Sequence, residues 1–188
     1  MNPVLDAITR RYSCRAFTPE PVSPEDLDAL ALAAVQAPSS RGRAPWQIRV
    51  VVDPVLLEDI SDGALNLLRR IEPEEAEDIA AGGTNLFYNA PAVFIIAARR
   101  TWDYTSEDLD VGLVAENIAL AATGLGLGSI LCGDTTQAFR DPKADPSPLY
   151  ERLGVPREFD VRLGVGIGHP AEDGTPHTPD LSKVRFLG

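Results

Sequence analysis

The 188-residue chain predicts an α+β fold. Three features point there. Residues 92–98, AVFIIAA, are an uninterrupted apolar run of strand length, as expected of a strand covered on both faces. Residues 109–125 place Val111, Val114, Ile118, Ala121 and Leu125 at helical spacing with small residues between them, which predicts a core helix. Along the chain, helical and extended segments fail to alternate one for one, which disfavours a doubly wound parallel sheet.

Asn2 and Pro3 supply an N-cap and a proline at the first helical position, and Val4, Leu5 and Ile8 share one face. A short helix therefore opens the chain and delivers it to Arg10 and Arg11. Ser23, Pro24, Glu25 and Asp26 repeat the signal, with acids suited to the helix dipole, and predict a second helix over about 24–37. Pro38 ends it, and residues 38–45, PSSRGRAP, have the composition of an ordered loop. Trp46 leads into a strand through Ile48, Val50, Val51 and Val52. After Pro54 the spacing of Leu56, Leu57, Ile60, Leu67 and Leu68 is helical, and the acidic run 72–78 is a solvated helix start. Residues 129–132 predict a short strand, 148–153 a short helix and 161–167 a further strand, before a Pro-, Thr- and Asp-rich tail, 172–188, that ends in VRFL. With no repeat, low-complexity tract or linker, residues 1–188 are expected to form a single domain.

The balance of 17 Lys+Arg against 28 Asp+Glu, a net charge of −11, disfavours nucleic acid and anionic lipid as main partners. The longest apolar candidate, 113–127, is broken by Glu116, Asn117 and Gly124, so no membrane span is expected. Asp6 stands where a secretory signal needs apolar residues, and a cytoplasmic location follows as an expectation. Cys14 and Cys132 stand alone and read as two reduced thiols.

The chemistry concentrates in three segments. RRYSCRAF, residues 10–17, crowds three arginines and a serine at a helix exit. Guanidinium forks and a hydroxyl suit a phosphomonoester, while pairing of the arginines with acids such as Glu20 or Glu25 is the alternative. PSSRGRAPW offers hydroxyls, two further arginines and a glycine that lets backbone approach a ligand. GLGLGSILCGD, residues 124–134, follows a helix and precedes a strand, the reverse of a dinucleotide fingerprint; by itself it reads as a helix stop and strand entry. His169, Asp173 and His177 lack a fourth metal ligand, and neither a GxSxG turn nor a phosphate-binding GxxxxGKS/T loop is present.

Taken in order, RRYSCRAF, APSSRGRAPWQIRVVV, YNAPAVFIIAA, DVGLVAENIALAATGLGLGSILCG, LGVP and GVGIGHP resemble the nitroreductase family of FMN flavoproteins over nearly the whole chain. The resemblance implies a central antiparallel sheet flanked by helices and an intertwined homodimer with two interface FMN sites, each held by both chains. It also implies NAD(P)H as electron donor to a small-molecule acceptor of nitroaromatic, quinone or enone type. By position, Arg11, Ser13 and Arg15 match residues that hold the FMN phosphate and nearby flavin edge, with Tyr12 among them. Pro38, Ser39 and Ser40 match the loop that reaches the flavin from the partner chain. Leu131, Cys132 and Gly133 match the stretch along one ring face toward N5, where a backbone N–H stabilises the reduced flavin. Lys183 or Arg185 is similar in place to a basic residue that completes the phosphate site. The flavin does the chemistry, so no catalytic side chain is expected, and Cys132 reads as a buried thiol. In the PSSxNxQPW loop of the family this chain has Gly42 and Ala44 for the two amides and adds Arg41 and Arg43, which suits an anionic substrate or the phosphate of NADPH. A flavin-sequestering protein with little turnover, and a specialised chemistry such as reductive dehalogenation or flavin breakdown, are the alternatives.

Overall fold

The computed structural model describes residues 2–99 and 106–188. Four strands, β1 (Trp46–Val51), β2 (Ala92–Arg99), β3 (Gly128–Cys132) and β4 (Phe159–Gly168), form one antiparallel sheet in the order β1-β2-β4-β3. The apolar run lies inside the sheet as β2, buried throughout residues 92–98. A strand that is apolar on both faces needs cover on both. Val93, Ile95 and Ala97 pack beneath α3 (Pro54–Ile71), through Leu57, Ile60 and Ala64, and against Tyr150 and Leu153 of α6 (Ser147–Leu153). On the other face Ala92, Phe94, Ile96 and Ala98 meet Leu30 and Ala34 of α2 (Pro24–Val35) and Val114, Ala115 and Ile118 of α5 (Ser106–Gly124). The result is the α+β architecture expected, with a helical layer on each face.

Local chemistry sets the helix starts. Asn2 Oδ1 accepts the Val4 N–H at 2.9 Å ahead of α1 (Pro3–Arg10), and Ser23 Oγ accepts the Asp26 N–H at 3.0 Å ahead of α2. α2 ends at Val35, two residues before the expected limit, because Pro38 bars the helical region at the residue before it. α5 starts at Ser106, one turn before its first apolar residue. The acidic run forms α4 (Pro73–Ala81), and the strand ends at Val51 rather than Val52. Residues 133–139, which carry no periodic signal, make a 3₁₀ segment against α3. Just beyond it Arg70 forms an ion pair with the nearly buried Asp141, and this hydrogen bond above all holds the Asp141 carboxyl below the usual range.

β4 serves both cores because its register breaks. Ala97 pairs with Val161 and Ile96 with Leu163, leaving Arg162 as a bulge residue. Val161 accordingly faces the α3 core, whereas Leu163, Val165 and Ile167 face α5. Beyond the bulge the α3 face of the strand is glycine. A Cβ on Gly164 would lie 2.6 Å from Thr135 Oγ1, and one on Gly168 2.6 Å from Pro91 Cδ.

Among the described residues, apolar surface is left over in several places, α1, α5 and the tail among them. Val4, Leu5 and Ile8 of α1 are each at least 50% exposed, so the face anticipated from sequence points away from this chain's core. Leu109 and Leu113 of α5 are exposed too, as are Val184, Phe186 and Leu187 in a tail exposed from 171 to 188. No helix among the described residues is long and apolar enough to cross a membrane.

Candidate functional site

The chain leaves α1 in extended form and is joined to the sheet. Ser13 bridges in parallel to Ser129, the Cys14 N–H donating to the Ser129 carbonyl at 2.9 Å, and Phe17 bridges antiparallel to Pro170. An extended chain sends alternate side chains to opposite sides. Cys14 is buried, while Ser13 and Arg15 are exposed and Arg11 half-buried. Cys14 Sγ stands so close to Gly128 that a Cβ there would lie 2.8 Å away, which gives one of the predicted glycines a packing role at the strand entry.

The cations of this segment divide. Arg10 pairs with Asp6 at 2.7 Å, one helical turn back. Arg11 and Arg15 have no carboxylate partner among the described residues, so the alternative pairing with Glu20 or Glu25 is not formed. The Arg15 guanidinium lies 5.9 Å from the ring centroid of Tyr88, and its charge reaches Cys132. Burial and then the charge of Asp134 push the Cys132 thiol up to about 12 against that influence of Arg15, so at neutral pH it is a thiol and not a nucleophilic thiolate. Leu131 and Gly133 on either side are exposed. The fold thus brings Arg15 to Cys132 and, through the parallel bridge of Ser13 to Ser129, lays the segment 11–15 alongside β3, which runs on into 131–133. Tyr12 turns away: its hydroxyl donates to the Glu172 carbonyl at 3.4 Å and its ring lies against Gly174, with burial first and Cys14 second raising the phenol. Behind it a cavity of about 230 Å³ is bordered by Arg10, Thr123, Asp173 and Ser129, whose buried hydroxyl has no hydrogen-bond partner among the described residues.

The loop containing Pro38, Ser39, Ser40 and Gly42 lies elsewhere. Ser39 Oγ accepts the Ala44 N–H at 2.8 Å, the Gly42 N–H donates to the Ser39 carbonyl at 3.0 Å, and Asp110 Oδ1 accepts the Ser40 N–H at 2.9 Å. Arg41, Gly42 and Ala44 all have left-handed backbone, at φ 57°, 65° and 44°. This loop feeds β1, on the opposite edge of the sheet from β3. Three strand spacings, roughly 14 Å, separate those edges. Lys183 and Arg185 lie in the exposed tail, where Lys183 approaches only Asp180 at 3.9 Å and no hydrogen bond or ion pair links either residue to Arg11, Ser13 or Arg15 among the described residues.

Tyr88, Asp110 and Asp134 belong to this geometry without having been singled out from sequence. Tyr88 sits in a left-handed turn whose signal is Asn85, with Oδ1 accepting the N–H groups of Phe87 and Asn89 at 3.0 Å each. Asp110 had no comparable signal, being one of three acids, with Glu107 and Asp108, near the start of α5.

An antiparallel sheet between helical layers carries, along the segment beside its edge strand, guanidinium groups without carboxylate partners among the described residues, chemistry that suits an oxyanion. The profile of the nitroreductase family matches residues 8–169, and the chain belongs to that family. It is similar over its full length to a nitroreductase with bound FMN from Desulfitobacterium hafniense DCB-2, with 35% identity, complete coverage of both chains and a TM-score of 0.93. An NADH dehydrogenase of Thermus thermophilus is 28% identical over 97% of this chain and 96% of its own. An NAD(P)H-dependent FMN reductase of Bacillus subtilis is 29% identical over 92% of this chain and 68% of its own.

Proposed function

We propose that this protein is an FMN-dependent NAD(P)H oxidoreductase of the cytoplasm that reduces a small oxidised acceptor, of nitroaromatic, quinone or enone type, as a single-domain chain in a homodimer. The observation that carries this proposal is that Arg11, Ser13 and Arg15, free of acid partners among the described residues, lie on a segment paired to β3, whose end runs into the exposed backbone of Gly133. These residues fit the cofactor. Two guanidinium groups and a hydroxyl match a phosphate dianion, and a Cβ built on Gly133 meets nothing within 4 Å, so the backbone there borders open space suited to a flat ring. Transfer of hydride from NAD(P)H to flavin N5, and from there to an acceptor in the vacated place, is the chemistry that FMN supplies when bound, with ping-pong kinetics.

The chain's own part is binding and orientation. Arg11 and Arg15 would hold the phosphate, with the Tyr88 ring beside the Arg15 guanidinium, and the backbone at 131–133 would border the ring and offer it an N–H. Cys132, protonated and buried, packs. No general acid is required of the protein, because water or the acceptor supplies protons. The homodimer is supported by two features: Pro38, Ser39, Ser40 and Gly42 stand across the sheet from Gly133, within reach of a flavin only from a second chain, and α1, α5 and the tail leave apolar side chains uncovered. Lys183 or Arg185 completes the phosphate site once the tail packs against the partner.

Gly42 and Ala44, which lack amides, favour a second reading, a flavin-sequestering dimer with little turnover. The purified protein's absorbance spectrum, followed by anaerobic NADPH or NADH, tests both. Flavin bands that bleach, in a particle of twice the 20.2 kDa chain mass by light scattering, are the expected outcome. Bands that persist favour sequestration. A colourless protein that takes up no added FMN overturns both.

A further inference from the structure

Three arginines without a carboxylate partner among the described residues are carried by the segments that meet at the start of β1: Arg41 and Arg43 on the loop, and Arg99 at the end of β2. In a chain with 28 acids and 17 bases, unpaired cations gathered at one place are unexpected. Arg43 and Arg99 border a cavity of about 290 Å³ that Trp46, Gln47 and Phe159 also line. Two acids share this cavity, but both are buried and engaged: Asp110 accepts the Ser40 N–H, and Glu107 has an interaction of its own. The loop is also fixed before any ligand arrives, since bonds at Ser39 and Ser40 hold Arg41 in left-handed backbone, a region uncommon for a residue with a side chain. A backbone held in advance lowers the ordering cost of binding to the side chains it carries.

We infer that Arg41 and Arg43, with Arg99 nearby, form a rim that binds the oxyanion, carboxylate or phosphate, of a planar molecule exchanging electrons at the flavin that this loop would reach in the partner chain. The inference rests on the flavoenzyme proposal above. A guanidinium fork matches either oxyanion, and Trp46 and Phe159 supply ring contact beside it. Two sources share this chemistry: an aromatic acceptor bearing a carboxylate, and the 2′-phosphate of NADPH.

Calorimetric titration of the holoprotein with two ligand pairs, each differing by one anionic group, distinguishes them: benzoate against benzamide, and 2′,5′-ADP against 5′-AMP. At least one anion is expected to bind about tenfold tighter than its neutral or less charged counterpart. That preference falls to within about twofold in R41Q/R43Q, returns in part in R41K/R43K and reverses in R41E/R43E. The kcat/KM ratio of 4-nitrobenzoate to nitrobenzene falls with it when the benzoate pair responds, and that of NADPH to NADH when the 2′-phosphate pair does. Arg43→Gln alone, at a right-handed position with φ −76°, gives the same direction should the double variant fail to fold. A wild type indifferent to charge in both pairs, or a preference that survives R41Q/R43Q, overturns the inference. A preparation that binds these anions yet takes up no FMN leaves the rim standing and overturns the flavoenzyme proposal instead.

Discussion

Two pairs of unpaired arginines mark opposite edges of the sheet, and they are held in different ways. Arg11 and Arg15 ride on a segment placed by long-range pairing, Ser13 to Ser129 and Phe17 to Pro170, so the whole fold fixes their position. Arg41 and Arg43 ride on a loop that bonds mainly to itself and reaches the rest of the chain through Asp110 and through the Arg99 N–H, which donates to the Pro45 carbonyl. The difference suggests a division of labour. What every molecule of cofactor needs is anchored by topology, and what selects among reactants sits where a few substitutions alter it without moving a strand.

Removing the anchored pair should have the largest effect. R11A/R15A deletes the two charge-assisted phosphate contacts proposed above, each worth about 1.5–3 kcal/mol, and FMN affinity should fall at least about a hundredfold in a fluorescence titration of the apoprotein. Loosening the other edge should matter less. D110A takes one acceptor from the Ser40 N–H, a hydrogen bond worth about 1 kcal/mol, which predicts a loss of roughly fivefold in the same titration. Equal losses in the two variants would break the contrast between topological and local anchoring.

The smallest effect on FMN belongs to a variant that touches stability alone. Asp141 is held below its ordinary carboxyl range chiefly by Arg70, so its contribution is complete above the unfolded value near pH 3.9 and is lost as pH falls through the depressed folded value. D141N should therefore lower the urea midpoint at pH 7, and its gap from wild type should close as pH drops below about 4. FMN affinity at pH 7 should stay within twofold; a larger change would mean that the β3 edge is sensitive to stability and not to Arg11 and Arg15 specifically.

Much of this organisation was legible in residues. Asn2-Pro3 and Ser23-Pro24 announce helix starts that the structure realises with capping bonds, and the AVFIIAA run lies inside the sheet, because these signals depend on near neighbours and on burial. The cationic segment was legible as well, since charge composition does not depend on folding. Other features had no local trace. The 3₁₀ segment at 133–139 follows no period and exists because α3 packs on it, and the apolar face of α1 shows that something must cover it without showing what. Even with both loops identified, periodicity could not place them on opposite edges. That follows from strand order, a property of the sheet as a whole.

The bulge at Arg162 has a further consequence for how the chain tolerates changes in length. On either side of it, odd-numbered side chains of β4 belong to different layers, so the strand is written in two parity frames joined at one residue. Losing any other residue within the strand shifts part of it by one and sends apolar side chains into the wrong layer. Loss of Arg162 itself would instead leave Phe159 and Val161 on the α3 side and Leu163, Val165 and Ile167 on the α5 side, giving up only its ion pairs with Asp108 and Asp160. The single irregular position of the sheet is thus the one place where β4 could be shortened by evolution without being rewritten.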